Sequence, residues 1–166
     1  MKNYISVIVE NKAGVLTRIT GLFARRGFNI ESLAVGETSD PSISRITIVV
    51  QGDDSIADQV TRQLSKLIEV RTVKKLDSNF MTQRELILVK VKLDPKRRGE
   101  IYDLVKIMGC EIVDITHNTL MIEFEDRTTR VDLLVDLLSK YEIIETVRTG
   151  AIALEKGDST IFDYED

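Results

Sequence analysis

Hydrophobic and polar positions alternate with two different periods along the first half of the chain. A period of two is typical of β-strands, and apolar residues spaced three and four apart indicate one face of an α-helix. The strand patterns cover residues 4–10, 29–38, 43–51 and 70–76, and the helical patterns cover residues 15–26 and 56–67, the second with Asp54-Ser55 as its predicted cap. This order, βαββαβ, predicts a four-stranded antiparallel sheet with two helices on one face, the ferredoxin-like motif.

The second half repeats this order without obvious sequence identity. Strand patterns cover residues 85–93, 111–116, 119–125 and 143–154, with a break near Gly150. Asp94 and Pro95 are typical of a helix start, and Thr128 or Thr129 is positioned to cap the second helix. The fold class is therefore α+β, with two tandem ferredoxin-like βαββαβ domains.

The stretch between the two repeats contains turn-forming residues and no clear period, so we interpret residues 78–83 as a linker. The domains are then residues 1–77 and 84–166. Each is small enough to be marginal alone, and pairing with another copy would stabilise both. The acidic residues from Glu155 onward are expected to form a frayed tail.

Composition narrows the class of protein. The formal net charge is −4, which argues against binding to nucleic-acid phosphates because such binding needs a basic face. An RNA-recognition domain would carry aromatic residues on its central strands, but residues 43–51 contain none. No apolar run is long enough for a membrane span, and the start of the chain has no signal-peptide pattern. With a single cysteine, the simplest location is the cytoplasm.

Residues with catalytic chemistry are few and isolated. His117 is predicted in a turn without an orienting partner, and Cys110 opens an apolar strand as core filler. Metal-binding spacings, phosphate-binding glycine motifs and the nucleophile motif of hydrolases are all absent. We therefore expect a protein that is not an enzyme and holds no metal.

The most informative stretch is the loop between the first strand and the first helix. A helix start presents unpaired N–H groups and a partial positive charge, which suit a carboxylate, and Gly14 allows a ligand to approach closely. Asn11 can add hydrogen bonds at the rim, and Arg18 can assist or simply be solvated. The hypothesis is a small amino-acid effector. The alternative is an ordinary strand-to-helix turn.

Several runs of this chain resemble one family. The first 36 residues, with RRGFNIESL over 25–33 and VG over 35–36, resemble the N-terminal ACT domain of the small, regulatory subunit of acetolactate synthase, also called acetohydroxyacid synthase. Further similar runs are RITIVV over 45–50, QVTRQL over 59–64, REL over 84–86 and GAIAL over 150–154. The resemblance therefore covers nearly the whole chain.

The resemblance implies a regulatory subunit without a catalytic centre. Such a subunit binds the large catalytic subunit, which holds thiamine diphosphate, Mg²⁺ and FAD and condenses pyruvate with a second 2-keto acid. It raises the activity of that enzyme of branched-chain amino acid biosynthesis and makes it sensitive to feedback inhibition, usually by valine. The alternative function is a stand-alone amino-acid-sensing ACT protein that regulates another enzyme or a transcription factor.

The resemblance also implies where valine binds. In the family the effector lies between two ACT domains of a dimer. The matching residues here are Asn11, Ala13, Gly14, Val15 and Leu16 from one chain, and Asn29 and Ile30 from the other. Residue chemistry agrees, since N–H groups at 14–16 suit a carboxylate, an asparagine carbonyl suits an ammonium group, and the apolar side chains form a small slot.

A separate observation indicates a homodimer. In this fold the second strand lies at the sheet edge, and residues 29–37 lack the proline and lysine that usually guard such edges. Pairing of two copies along this edge would bring Asn29 of one chain near Gly14 of the other. We also expect the second domain to help with docking or activation of the large subunit.

Overall fold

The first half of the chain forms the predicted βαββαβ order. We describe residues 1–162 from a computed structural model. The elements are β1 (Lys2–Glu10), α1 (Val15–Arg26), β2 (Ile30–Glu37), β3 (Ile43–Gln51), α2 (Asp54–Leu64) and β4 (Val70–Leu76). Each element lies where the hydrophobic period predicts it, with ends shifted by a few residues at most.

The strands of this first unit form one antiparallel sheet in the order β2-β3-β1-β4. The two central strands are almost wholly buried, and β2 is an edge strand, as predicted. One face packs against both helices through a core that includes Ile5, Ile19, Phe23, Ile48 and Leu64. The antiparallel order puts the end of β1 and the start of β3 at the same end of the sheet.

The second repeat has the same topology. Its elements are β5 (Met81–Lys92), α3 (Arg98–Met108), β6 (Glu111–Ile115), β7 (Thr119–Asp126), α4 (Thr128–Leu138) and β8 (Ile143–Arg148). The order β6-β7-β5-β8 repeats the order of the first sheet, and a separate core includes Ile87, Ile101, Ile122 and Leu134. The expected α+β class with two ferredoxin-like repeats is confirmed.

The starts of three helices differ from the sequence prediction. Helix α4 begins at Thr128, and its N-cap residue is Arg127 without a side-chain capping bond, so neither Thr128 nor Thr129 is the cap. Helix α2 is capped not by Asp54-Ser55 but by Asp53, which has an extended backbone and whose carboxylate accepts the N–H of Ile56. Asp94 does not cap α3. Its Oδ1 accepts the N–H of Lys96 and closes a turn, so the helix begins only at Arg98.

The end of the chain returns to the first unit. After Gly150, which has a left-handed φ of 76°, residues 152–155 form strand β9. The first unit comprises residues 1–82 together with the chain from Ala151, and the second comprises residues 83–150. These limits differ from the sequence-based limits of 1–77 and 84–166, and residues 81–83 of the expected linker belong to β5.

The tail returns because it packs against the second face of the first sheet, the face opposite the helices. An apolar cluster on that face contains Tyr4, Val49, Leu76, Met81, Ala151 and Ala153, all buried. Arg45 donates to the carbonyl of Ala153 over 3.3 Å, and Lys74 pairs with Glu155 at 3.0 Å. Fraying is therefore not observed over residues 155–162, where Ile161 is buried, and residues 163–166 lie outside the described range.

We predict that the tail contributes measurably to the stability of the first unit. The Ile161→Ala variant removes a side chain that is 4% exposed and should lower the free energy of unfolding by about 2–5 kcal/mol. The neighbouring variant Phe162→Ala removes a side chain that is 60% exposed and should change it by less than about 0.5 kcal/mol. Urea denaturation measures both, and equal stabilities would mean that the tail does not pack on the sheet.

Candidate functional site

The loop between β1 and α1 is built around a left-handed glycine. Gly14 occupies the N-cap position of α1 with φ of 87° and ψ of −13°, a conformation that L-residues with a side chain rarely adopt. Apart from the glycine itself and its two chain neighbours, no residue places a heavy atom within 4 Å of the position that a Cβ would take. The glycine therefore serves the backbone conformation and leaves open space beside the helix start.

Helix α1 presents unpaired N–H groups at this end. No side chain caps it, and the first turn contains no acidic residue. The N–H of Val15 donates to the carbonyl of Lys12, whereas those of Gly14, Leu16 and Thr17 have no acceptor among residues 1–162. Together with the helix dipole, these groups provide a place for one carboxylate.

Asn11 connects this loop to the β2–β3 hairpin. Its Nδ2 donates to Glu37 Oε1 at 3.0 Å and to the carbonyl of Pro41 at 2.9 Å. Its backbone N–H donates to the carbonyl of Ser42 at 2.8 Å. Both amide hydrogens are thereby used, and Oδ1 accepts no hydrogen bond within the described residues. The side chain thus offers a fixed carbonyl oxygen at the rim.

The hairpin that receives Asn11 is stabilised by a turn of its own. Asp40 Oδ1 accepts from the hydroxyl of Ser42 at 2.7 Å and from its N–H at 2.9 Å. These bonds, the hydroxyl one foremost, lower the pKa of the Asp40 carboxyl. Sequence analysis did not identify Glu37 or Pro41 as partners of Asn11, since no local pattern links positions so far apart.

The cations beside the helix start are directed away from it. Arg18 pairs with Glu69, so of the two sequence interpretations, assistance in anion binding is not supported by its position. Lys12 Nζ lies 2.6 Å from Glu10 Oε2, and this hydrogen bond lowers the pKa of the Glu10 carboxyl. Within the loop and helix, the N–H groups and the helix dipole are therefore the positive features at the helix start, while Arg71 on β4 acts electrostatically on Glu10 and Asp40.

The predicted site residues do not all come together in one chain. Asn11, Ala13, Gly14 and Leu16 are exposed at one end of the sheet, while Val15 is a buried core residue. Ile30 pairs with Val50, whereas Glu37 pairs with Ser44 beside Asn11. Asn29 and Ile30 therefore lie at the opposite end, about 20 Å away along the strands.

Comparison with known proteins places the chain in a family. Residues 5–72 match the model described as the AHAS small subunit-like ACT domain, and residues 84–157 match the model of the small subunit of acetolactate synthase. A probable acetolactate synthase small subunit from Archaeoglobus fulgidus is 46% identical over 158 residues, covering 95% of this chain and 99% of that protein.

This chain belongs to the acetolactate synthase small-subunit family. The small subunit of Bacillus subtilis is 38% identical and covers 95% of this chain and 92% of its own length. The crystal structure of the small subunit from Thermotoga maritima superposes with a TM-score of 0.87 at 36% identity, covering 96% of this chain and 99% of that one. The resemblance seen in the sequence is confirmed over nearly the whole chain.

Small-subunit membership supports a regulatory role. Burial raises the pKa of the Cys110 thiol to about 11, so it is not a thiolate nucleophile at neutral pH. His117 lies exposed in the turn between β6 and β7. Within residues 1–162 no group of three or more metal-ligating side chains occurs, and no helix is long and apolar enough to cross a membrane.

We predict that adding a single methyl group at position 14 reveals the left-handed backbone conformation of Gly14. In this small-subunit chain, Gly14→Ala should lower the free energy of unfolding by about 1–2 kcal/mol, because φ of 87° is strained for alanine although space is available. The control Gly36→Ala has equal space and no positive φ, so it should change stability by less than about 1 kcal/mol. Denaturant unfolding measures both, and two unchanged midpoints would contradict the left-handed assignment.

Proposed function

We propose that this chain is the regulatory subunit of an acetolactate synthase, that it activates the catalytic large subunit, and that it confers feedback inhibition by valine. The observation that carries the proposal is the match to small subunits across both units, combined with an uncapped helix start and an Asn11 side chain whose amide hydrogens are both engaged. The chain needs no cofactor for this role. Thiamine diphosphate, Mg²⁺ and FAD belong to the large subunit, and the shared compartment is the cytoplasm.

In the proposed complex the carboxylate of valine binds at the start of α1. The open N–H groups of Gly14, Leu16 and Thr17 donate to it, and the macrodipole of the helix favours its negative charge. The Oδ1 of Asn11 accepts from the ammonium group. Leu16, which is 41% exposed, and Ile30 of a second copy line the aliphatic slot. One methylene more or less changes binding by about 1–3 kcal/mol, which limits discrimination between valine and leucine.

The second half of the proposed site comes from a homodimer joined through β2. This strand is an edge of the first sheet and carries Val35 with half of its surface exposed. Antiparallel two-fold pairing centred on residues 33 and 34 would set Ile30 of one copy opposite Glu37 of the other. Because Glu37 touches Asn11, Asn29 of the partner would then lie beside Gly14.

A ligand held by both copies favours whichever arrangement of the dimer brings its halves together. It can shift an equilibrium only by its difference in affinity for the two arrangements. Couplings of about 1–3 kcal/mol, or about 5- to 150-fold, are usual and sufficient for feedback control. The large subunit then responds to the arrangement of the dimer rather than to valine itself.

A negative charge introduced at position 14 tests the proposed effector site. Gly14→Asp places a carboxylate where the carboxylate of valine is proposed to bind, so valine inhibition of the reconstituted enzyme should be lost while activation persists. Gly14→Asn has nearly the same size and the same backbone strain without the charge, and it should keep more of the valine response. Acetolactate formation is measured across a valine titration. Equal valine sensitivity in the Asp variant and the parent would place the effector elsewhere.

The dimer edge is tested by a lysine. Val35→Lys introduces an edge-guarding charge on β2 and should shift the protein towards monomer. Ile68→Lys adds the same charge at a residue that is 88% exposed and lies outside the strand, and it should leave the dimer intact. Sedimentation velocity distinguishes the two. A Val35→Lys variant that dimerises like the parent would show that this edge is not the interface.

Binding and rate measurements with a large subunit distinguish the regulatory subunit from the alternative function, a stand-alone amino-acid sensor. Co-purification with a large subunit, and a change in the rate of that subunit, are expected for a regulatory subunit. An amino-acid-binding dimer that neither associates with the large subunit nor alters its rate would instead favour the alternative.

A further inference from the structure

Glu37 is a feature of the candidate site that neither the sequence pattern nor the family match assigns. It is the last residue of β2, and its Oε1 accepts one of the two hydrogens of the Asn11 amide at 3.0 Å. The carbonyl of Pro41 accepts the other at 2.9 Å. A terminal amide can be turned by half a rotation with little change in shape, so these two acceptors decide which atom points outward. With both hydrogens engaged, that atom is the oxygen.

The carboxylate of Glu37 also stays without a cation among the described residues. The basic side chains of the loop and helix start pair elsewhere, Lys12 with Glu10 and Arg18 with Glu69, and Arg71 on β4 acts electrostatically on Glu10 and Asp40. The rim therefore carries the carboxylate of Glu37 on one side and the positive start of α1 on the other. This separation of charge matches the zwitterion of a free α-amino acid.

We propose that Glu37 is a specificity-determining residue that makes this site select α-amino acids over the corresponding acids that lack an ammonium group. It orients Asn11 so that its oxygen meets the ammonium group, and its charge attracts that group directly. Simple carboxylates and 2-oxo acids share the carboxylate of valine and bind the same N–H groups, but they gain nothing from Glu37. The inference rests on the proposed function, because it concerns the same effector site.

The test separates the charge of Glu37 from its hydrogen bond. Glu37→Gln keeps an acceptor for Asn11 and removes the charge, whereas Glu37→Ala removes both. The full-length dimer is titrated by calorimetry with L-valine, and with isovalerate and 2-oxoisovalerate in displacement format. Asp58→Asn on α2 is the matched control, since it makes the same change of charge on the same unit at an exposed position away from the loop.

Valine should bind about 5- to 30-fold more weakly to Glu37→Gln, because hydrogen bonds to a charged group are stronger than those to a neutral one. Glu37→Ala should lose more of the affinity for valine than Glu37→Gln does. Isovalerate and 2-oxoisovalerate should bind both variants as tightly as the parent or more tightly, so the preference for valine falls. A merely structural role of Glu37 would weaken all three ligands alike.

Two outcomes overturn different claims. If the parent protein binds no valine, the proposed function fails and Glu37 has no effector to select. If the parent binds valine but Glu37→Gln keeps both its affinity and its preference over isovalerate, the inference about Glu37 fails alone. A loss of preference in Asp58→Asn equal to that in Glu37→Gln would also overturn it, since the effect would then follow total charge.

Discussion

Helix α1 separates the two halves of the proposed site by its own length. Gly14 precedes the helix and Asn29 follows it, and twelve residues of α-helix span about 18 Å. The helix packs along a rigid sheet, so folding cannot bring these residues together within one copy. In the proposed dimer, an antiparallel edge reverses direction between the two copies and brings the end of one helix to the start of the other. Under the proposed function, regulation follows from a ligand that needs both copies.

Strand β2 connects this edge with the rest of the first unit. At its far end Glu37 holds Asn11, and near its middle the Ser32 hydroxyl accepts the N–H of Ala151 at 3.4 Å. Ala151 begins the tail that packs on the second face of the sheet. The tail follows β8 of the second unit after two intervening residues. The strand that would meet a second copy therefore also contacts the segment through which the chain leaves the second unit.

The sequence predicted what local periodicity and backbone chemistry determine. Alternation and helical spacing identified both repeats, and Gly14 marked the start of α1. It did not predict the return of residues 151–162 to the first sheet, because small residues such as Ala151 and Ala153 pack according to what they meet. Nor did it predict that Glu37 and Pro41 orient Asn11, since only the folded hairpin brings them together. Helix α3 begins later than predicted, because Asp94 accepts the N–H of Lys96 within a turn and does not cap the helix.

The central claim is that each effector site is shared between two copies, and a hybrid dimer tests it most directly. One copy carries Gly14→Asp and the other carries Asn29→Ala, and the hybrid is purified with two different tags. If sites are shared, one site of the hybrid combines both substitutions and the other is intact. Calorimetry should then count one valine per hybrid dimer, and none per homodimer of either single variant. If each site lies within one chain, both sites are damaged, and a hybrid that binds no valine would contradict the account.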